Sequence, residues 1–291
     1  MAYSYKTLTQ ALAEAGIAEP AAEAALLLEA FAGASKAILM TDRDRIYHAP
    51  ALETAVTRRI GREPLQYILG EWEFYGCIFT VSPHCLVPRP DTELLVDTAI
   101  RVLPHGAHVV DLCAGSGCVA IAALVHRPDL TAEALELYPD TLRLACENAA
   151  RNGVSSRWNP MEADLLSDGV SRLALYAPYD AILSNPPYIP TADIAGLSPE
   201  VKREPIAALD GGDDGLTFYR AILRDYAPLV KPGGHILLEM AYNQAEDLQR
   251  LAAEYLPTAS VEILRDLGGN DRVTHITLPA DSAYTGENPT V

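Results

Sequence analysis

A chain of 291 residues with 22 Lys and Arg against 39 Asp and Glu has a formal net charge of −17. Its 49% hydrophobic and 21% charged residues exclude a disordered chain and fit a folded globular protein. A surface of that sign disfavours duplex DNA or RNA as a partner, because phosphate neutralisation drives such binding. The length suits one large domain and one small one.

Five cysteines (Cys77, Cys85, Cys113, Cys118, Cys146) are odd in number and make no C-x-x-C pair. That usage suits a reducing cytoplasm better than a disulfide scaffold. The N-terminal MAYSYKTLTQ lacks a basic segment followed by an apolar core, so no secretory signal is expected. Glu23, Glu29 and Lys36 interrupt the alanine-rich stretch from Ala21 to Met40. It falls short of the roughly 18 apolar residues a membrane span needs. Seven scattered histidines show no ligand spacing, and no metal is expected.

Residues 1–65 read as a small helical bundle. Thr7 and Gln10 have capping-box spacing, Leu8, Leu12 and Ala15 follow at helical intervals, and Gly16 stops the run. Pro20 opens a second helix that Gly33 closes, with Leu26, Leu27, Ala30 and Phe31 as its expected apolar face. A third begins near Lys36, and a fourth runs from Pro50 to Gly61. Seven bases against ten acids within residues 1–80 leave about −14 of the charge in the C-terminal part. Residues 66–87, rich in β-branched and aromatic side chains and punctuated by Gly70 and Gly76, read as a β-hairpin linker.

Residues 88–280 alternate strand-like and helix-like segments, which implies an α/β layer with a mostly parallel sheet. The predicted strands are His108–Cys113, Thr131–Leu137, Trp158–Asp164, Asp180–Ser184, His235–Met240, Ser260–Arg265 and Val273–Leu278. Only DLGGND separates the last two, which permits an antiparallel hairpin at one end of the sheet. Residues 281–291 are expected to form a frayed polar tail.

Two motifs carry chemistry. In VVDLCAGSGCVAIAAL an apolar strand meets a glycine turn and a helix, so Gly115 and Gly117 let the backbone approach a ligand closely. Ala120 stands where a third glycine of G-x-G-x-x-G would fall. Asp111 suits a cationic ligand near that turn, or simply caps the turn. Glu136 ends the next strand, where a carboxylate can accept both ribose hydroxyls of NAD or of S-adenosylmethionine. These two elements alone leave the choice open. The second motif is Asn185-Pro186-Pro187-Tyr188, directly after DAILS. Proline cannot continue a central strand, so the chain leaves the sheet rigidly at its ligand-binding end. The Asn185 side-chain oxygen and the Pro186 carbonyl make two converging acceptors, which suit a planar –NH2 with two hydrogens to donate. Tyr188 can stack on such a group.

DLCAGSG, the distal acid and NPPY together resemble the class I S-adenosylmethionine-dependent amino-methyltransferases. The whole chain resembles the HemK/PrmC family of peptide chain release factor N5-glutamine methyltransferases. REPLQYILGEWEFYG, LVPRPDTELLV, SNPPYIP, REPIAALDGGDDGL and LGGNDRV carry that likeness. The resemblance implies a Rossmann-like, mostly parallel seven-stranded sheet with helices on both faces, plus the N-terminal bundle. It implies methyl transfer from S-adenosylmethionine, yielding S-adenosyl-L-homocysteine, to the glutamine of a release factor's GGQ motif, tuning translation termination. Asp111, Cys113, Ala114, Gly115, Ser116, Gly117, Glu136, Asp164, Leu165 and Asn185 would hold the donor. Asn185, Pro186, Pro187 and Tyr188 would hold the substrate amide, with Asn185, Pro186 and Tyr188 as the reacting-site groups. Cys113 departs from the usual glycine, and Glu136 from the commoner Asp.

Residues 1–65 would then recognise the release factor, and the enzyme is expected to act as a monomer. Competing readings are a ribosomal-protein glutamine methyltransferase, an N6-adenine or RNA base methyltransferase using the same NPPY, a nicotinamide-dependent oxidoreductase, and a non-catalytic adaptor. Base methylation calls for a Lys/Arg-rich surface, and no cluster larger than Arg58-Arg59 with Arg62 is present. Lys202 and Glu204 are tempting catalytic candidates, although a charged loop shaping the substrate entrance is the plainer reading. Arg89, held between two prolines, would meet the donor or the seam between domains.

Overall fold

The computed structural model describes residues 2–280, so the tail expected at 281–291 lies outside the described residues. The described chain forms two compact units, each discontinuous: residues 2–71 join with Ser198–Arg203, and residues 72–197 with 204–280.

The first unit is helical: α1 (Tyr5–Glu14), α2 (Pro20–Ala32), α3 (Lys36–Thr41), α4 (Pro50–Ile60) and α5 (Leu65–Leu69). The capping box of α1 lies one turn earlier than the Thr7/Gln10 spacing predicts. Ser4 accepts from the Thr7 amide at 3.2 Å, and the Thr7 hydroxyl accepts from the Ser4 amide at 2.8 Å. Pro20 and Pro50 open their helices, and Gly33 closes α2 in the left-handed conformation. The face that α2 buries is Ala24, Leu27 and Leu28; Leu26 and Phe31 are only partly covered. These pack with Leu8, Leu12, Leu52 and Val56 into one core. Gln66–Leu69, expected within the hairpin, belongs instead to α5, because Leu65 and Ile68 complete that core. Ser198–Arg203 joins this unit through Glu200, whose two oxygens accept from Arg59 at 3.1 Å and Arg62 at 2.8 Å.

The second unit begins with a hairpin, β1 (Glu71–Phe74) and β2 (Cys77–Thr80). Its turn residues Tyr75 and Gly76 both have positive φ, the handedness that matches strand twist. There follow α6 (Glu93–Val102), β3 (His108–Leu112), α7 (Cys118–His126), β4 (Thr131–Glu136), α8 (Pro139–Arg151), β5 (Trp158–Glu162) and α9 (Gly169–Leu173). The rest is β6 (Tyr179–Ser184), α10 (Thr217–Ala221), β7 (Val230–Glu239), α11 (Ala245–Tyr255), β8 (Ser260–Arg265) and β9 (Asp271–Thr277). The seven-stranded sheet has the order β5-β4-β3-β6-β7-β9-β8. Only β9 runs antiparallel to its neighbours β7 and β8. This is the mostly parallel seven-stranded sheet that the sequence resemblance implies.

Strand alternation divides the core in two. Val109, Ala132, Ala134, Ala181, Leu183 and Leu237 face the cluster built with α6, α7 and α8. Val110, Leu112, Leu135, Ile182, Ile236 and Leu238 face the cluster that includes Tyr219, Leu248 and Leu251. Helices therefore cover both faces. From β3 the chain first builds outward through β4 and β5, then returns to place β6 on the other side of β3. That reversal opens a crevice at the carboxyl ends of β3, β4 and β6, where ligands bind in such sheets. No helix among the described residues is long and apolar enough to cross a membrane.

Candidate active site

A cavity of about 450 Å³ occupies that crevice, within the range of sites for nucleoside-sized ligands. Asp111, Cys113, Ala114, Gly115, Ser116, Glu136, Asp164, Leu165, Asn185 and Pro187 line it, so both motifs meet at one place. Gly117, Pro186 and Tyr188, also expected there, are not among the lining residues.

Strand register explains the convergence. Leu112 at the end of β3 pairs with Leu135 on β4 and with Ser184 on β6. The residues that follow, Cys113, Glu136 and Asn185, therefore emerge at one level. The turn itself is tight. Cys113 adopts a left-handed φ of 59°, which accounts for glycine being usual at this position. Gly117 has φ 78° and starts α7; a Cβ there would lie 2.6 Å from Ile121 Cδ1. Gly117 thus shapes the turn from behind rather than lining the cavity. Glu136 accepts from the Gly115 amide at 2.9 Å and the Tyr138 amide at 3.0 Å. Burial raises its pKa, and these amides oppose the rise.

Asp111 caps the following helix and also lines the cavity. Its Oδ2 accepts from the Ala120 amide at 3.1 Å in the first turn of α7. Burial pushes its carboxyl up to about 7, against that hydrogen bond and with a smaller contribution from the Glu136 charge. The folded state then holds this proton more tightly than the unfolded chain. Its stabilising effect is full at low pH and is lost as pH rises from about 4 through about 7. The Tm of the ligand-free protein should therefore fall between pH 5 and 7.5, and Asp111→Asn should flatten that slope. Differential scanning fluorimetry across this window checks it; equal slopes in both proteins would refute the assignment.

Asn185 donates from Nδ2 to Thr92 Oγ1 at 3.2 Å. The segment after it is clamped along its backbone. Ile189 N donates to Leu209 O at 2.9 Å, Gly211 N to Ile189 O at 2.8 Å, and Thr191 N to Gly212 O at 2.9 Å. Gln244 Nε2 holds Tyr188 O at 3.0 Å. Burial raises the Tyr188 hydroxyl pKa above its ordinary value, so the phenol stays neutral near pH 7 and offers no base. Sequence reasoning missed Thr92, Gln244 and Glu239, which surround this segment.

Glu204 is buried; its carboxylate accepts from the Val87 amide at 3.0 Å and pairs with Arg89. Val87 and Arg89 line one wall of the cavity and Pro205 another, so Glu204 ties the two walls together. That structural tie replaces the catalytic reading of Glu204 and gives Arg89 its partner. Lys202 is exposed, does not line the cavity, and lies in the segment that belongs to the helical unit.

The residues present fit S-adenosylmethionine. A Cβ on Gly115 would meet nothing nearer than Cys113 O at 4.0 Å, which leaves the cradle open for a ligand. The acidic side chains of Asp111, Glu136 and Asp164 on the walls suit a cationic donor.

Comparison with known proteins agrees with this geometry. Residues 5–70 match the PrmC N-terminal domain family, and residues 90–196 match the methyltransferase small domain family. Over 240 residues the chain is 42% identical to the release factor glutamine methyltransferase of Geobacter sulfurreducens, covering 81% of this chain and 82% of that one. A crystal structure of the release factor-specific protein-(glutamine-N5) methyltransferase from Alicyclobacillus acidocaldarius is 32% identical. It covers 69% of this chain and 99% of its own, with a TM-score of 0.43. A solved structure from Streptococcus mutans, named a putative SAM-dependent methyltransferase, shares the fold at 14% identity and a TM-score of 0.51, covering 72% of this chain and 56% of that one. With a relative this similar across four-fifths of both chains, this protein belongs to the release factor glutamine methyltransferase family.

Proposed function

We propose that this enzyme methylates the side-chain amide nitrogen of the glutamine in the GGQ motif of a peptide chain release factor. The observation that carries the reading is the convergence of Asn185 and Pro187 on the same cavity as the glycine turn and Glu136. The names of its relatives support the same substrate. S-adenosylmethionine supplies a methyl group already activated on a sulfonium. Cys113 to Ser116 of the glycine turn would cradle it, with Gly117 backing the turn, Glu136 would hold its ribose hydroxyls, and Asp164 with Leu165 would border its adenine.

A carboxamide nitrogen is a poor nucleophile, because its lone pair is delocalised into the carbonyl. The protein's main task is alignment. Asn185 Oδ1 and the backbone carbonyl of Pro186 accept the two amide hydrogens, raise electron density on nitrogen and stabilise the positive charge that develops there. Pro186 lies between the cavity-lining Asn185 and Pro187 without lining the cavity in the ligand-free protein. The proton then leaves to one of these oxygens or to water. Pro187 and Tyr188 keep the segment rigid. Residues 1–65 recognise the body of the release factor, since a short loop bearing one glutamine offers little binding surface.

The test is a methyl-transfer assay read by peptide mass spectrometry. It offers an intact release factor, its GGQ→GGA variant, a short GGQ peptide, ribosomal proteins and unmethylated DNA side by side. One methyl on the GGQ glutamine, absent from the variant, is expected. A higher kcat/KM for the intact factor than for the peptide is expected from the helical unit. Transfer to DNA or to a ribosomal protein instead would overturn the substrate, and equal kcat/KM would overturn the role of residues 1–65.

A further inference from the structure

Glu239, the last residue of β7, belongs to neither sequence motif. β6 and β7 run parallel with Ser184 opposite Leu238, so Asn185 and Glu239 leave the sheet side by side. Glu239 is 2% exposed, as is Thr92, and the Thr92 and Asn185 side chains stand close enough to its carboxyl to favour the charged form. Thr92 in turn accepts from Asn185 Nδ2 at 3.2 Å. The Glu239 Oε2 atom has no hydrogen-bond partner among the described residues. Tyr219 donates to the Glu239 backbone carbonyl at 2.7 Å, which anchors the strand end.

An ionised carboxylate only accepts hydrogen bonds, and an amide presents different chemistry on its two sides. With Glu239 and Thr92 on one side, the Asn185 amide has to turn its Nδ2 toward them. A reversed amide would set a carbonyl oxygen against a carboxylate. The correct orientation leaves Oδ1 on the opposite side, free for the cavity that Asn185 lines. We infer that Glu239 is a positioning residue, which orients and polarises the Asn185 amide so that Oδ1 accepts from the substrate –NH2. The inference rests on the proposed reading of Asn185 as the acceptor for the reacting amide.

Burial opposes the ionised form that this orientation uses, and its neighbours partly restore it. Burial pushes its pKa up to about 7, although Thr92, Arg272 and Asn185 oppose the rise and Asp91 adds to it.

Glu239→Gln keeps the shape but brings an –NH2 that can donate to Asn185 Oδ1 and hold the amide reversed. Its Tm should equal or exceed that of the wild type. With GGQ peptide its kcat should fall roughly 10–100-fold, with KM and the calorimetric Kd for S-adenosylmethionine within about threefold. Thr92→Val should act in the same direction. In the Asn185→Ala background, Glu239→Gln should cost nothing further, because the group it positions is gone. A purely structural role would leave the full loss in both backgrounds, which would overturn the inference, as would an unchanged kcat.

A second readout needs no methyl acceptor. In protein labelled with ¹⁵N at asparagine side chains, the Asn185 amide is assigned by its disappearance in Asn185→Ala. With the donor bound, its protons should exchange slowly with solvent in wild type and faster in Glu239→Gln. Equal exchange would overturn the inference whatever the substrate proves to be. Failure of the wild type to methylate GGQ would overturn the functional reading alone.

Discussion

Asn185→Ala is expected to lower kcat by about 10²–10³-fold, the usual cost of removing one preorganised group from a developing charge. The donor should still bind, because the glycine turn and Glu136, proposed as its main contacts, lie on the neighbouring strands and are untouched. The expectation follows from register: Asn185 is the first residue beyond β6, at the level where β3 and β4 deliver the rest of the site. Loss of its Oδ1 leaves the substrate amide with a single acceptor. The nitrogen is then neither aligned nor stabilised as it becomes positive. Single-turnover kinetics with saturating donor, alongside calorimetric donor affinity, separate the two effects. A retained kcat would remove Asn185 from the chemistry. A donor affinity that fell in step with kcat would make it a donor ligand only.

Gly215→Ala is expected to destabilise the protein by about 3 kcal/mol and to abolish turnover. Gly215 has φ +74°, a conformation that costs an L-residue about 1–2 kcal/mol. The added Cβ would also stand 2.4 Å from Tyr188 O, 3.0 Å from Gln244 Nε2 and 3.2 Å from Pro190 Cδ. Overpacking of this kind costs about 1–3 kcal/mol more, since the nearest atom met, Tyr188 O, is backbone held by Gln244. Relief would push the Tyr188 backbone away from Gln244 and displace the end of NPPY. Gly269→Ala is the control, because its φ is +83° and nothing lies within 4 Å of the added carbon. Urea denaturation of both variants isolates the packing part. Equal losses would mean that the loop relaxes freely and does not hold the substrate segment.

Features set by local sterics were legible in the sequence. Pro20, Gly33 and Pro50 punctuate helices where they stand, and the strand periods of β3, β4 and β6 survive intact in the sheet. The antiparallel end of the sheet was legible too, because DLGGND is too short for a crossover. Misreadings arose where distant contacts decide. Gln66–Leu69 looks β-like in isolation, yet Leu65 and Ile68 fill the helical core and draw the segment into a helix. At α1, Ser4 captured the cap because its geometry closes on Thr7.

The candidate site divides in the same way. Residues in contiguous motifs were found, whereas Thr92, Gln244 and Glu239 reach Asn185 and Tyr188 only through register and loop packing. One signal was available: an acid ending the apolar run HILLE, as Asp111 follows HVV and Glu136 closes TAEALE. The run REPIAALDGGDDGL offered no physical reason for its glycines until the structure set Gly211, Gly212 and Gly215 around Tyr188 and Thr217.

The helical unit is not a cassette. Its chain boundary near residue 71 can be cut, but Ser198–Arg203 re-enters it from within the loop that follows NPPY. Arg59, itself buried, spends its guanidinium on Glu23 and on Glu200 from that returning segment. Exchanging the first 71 residues for those of a relative would therefore strand a glutamate whose arginines came from another protein. Moving the proposed recognition unit of this chain therefore takes two pieces of sequence together. A chimaera that carries both 1–71 and 198–203 is the one to build.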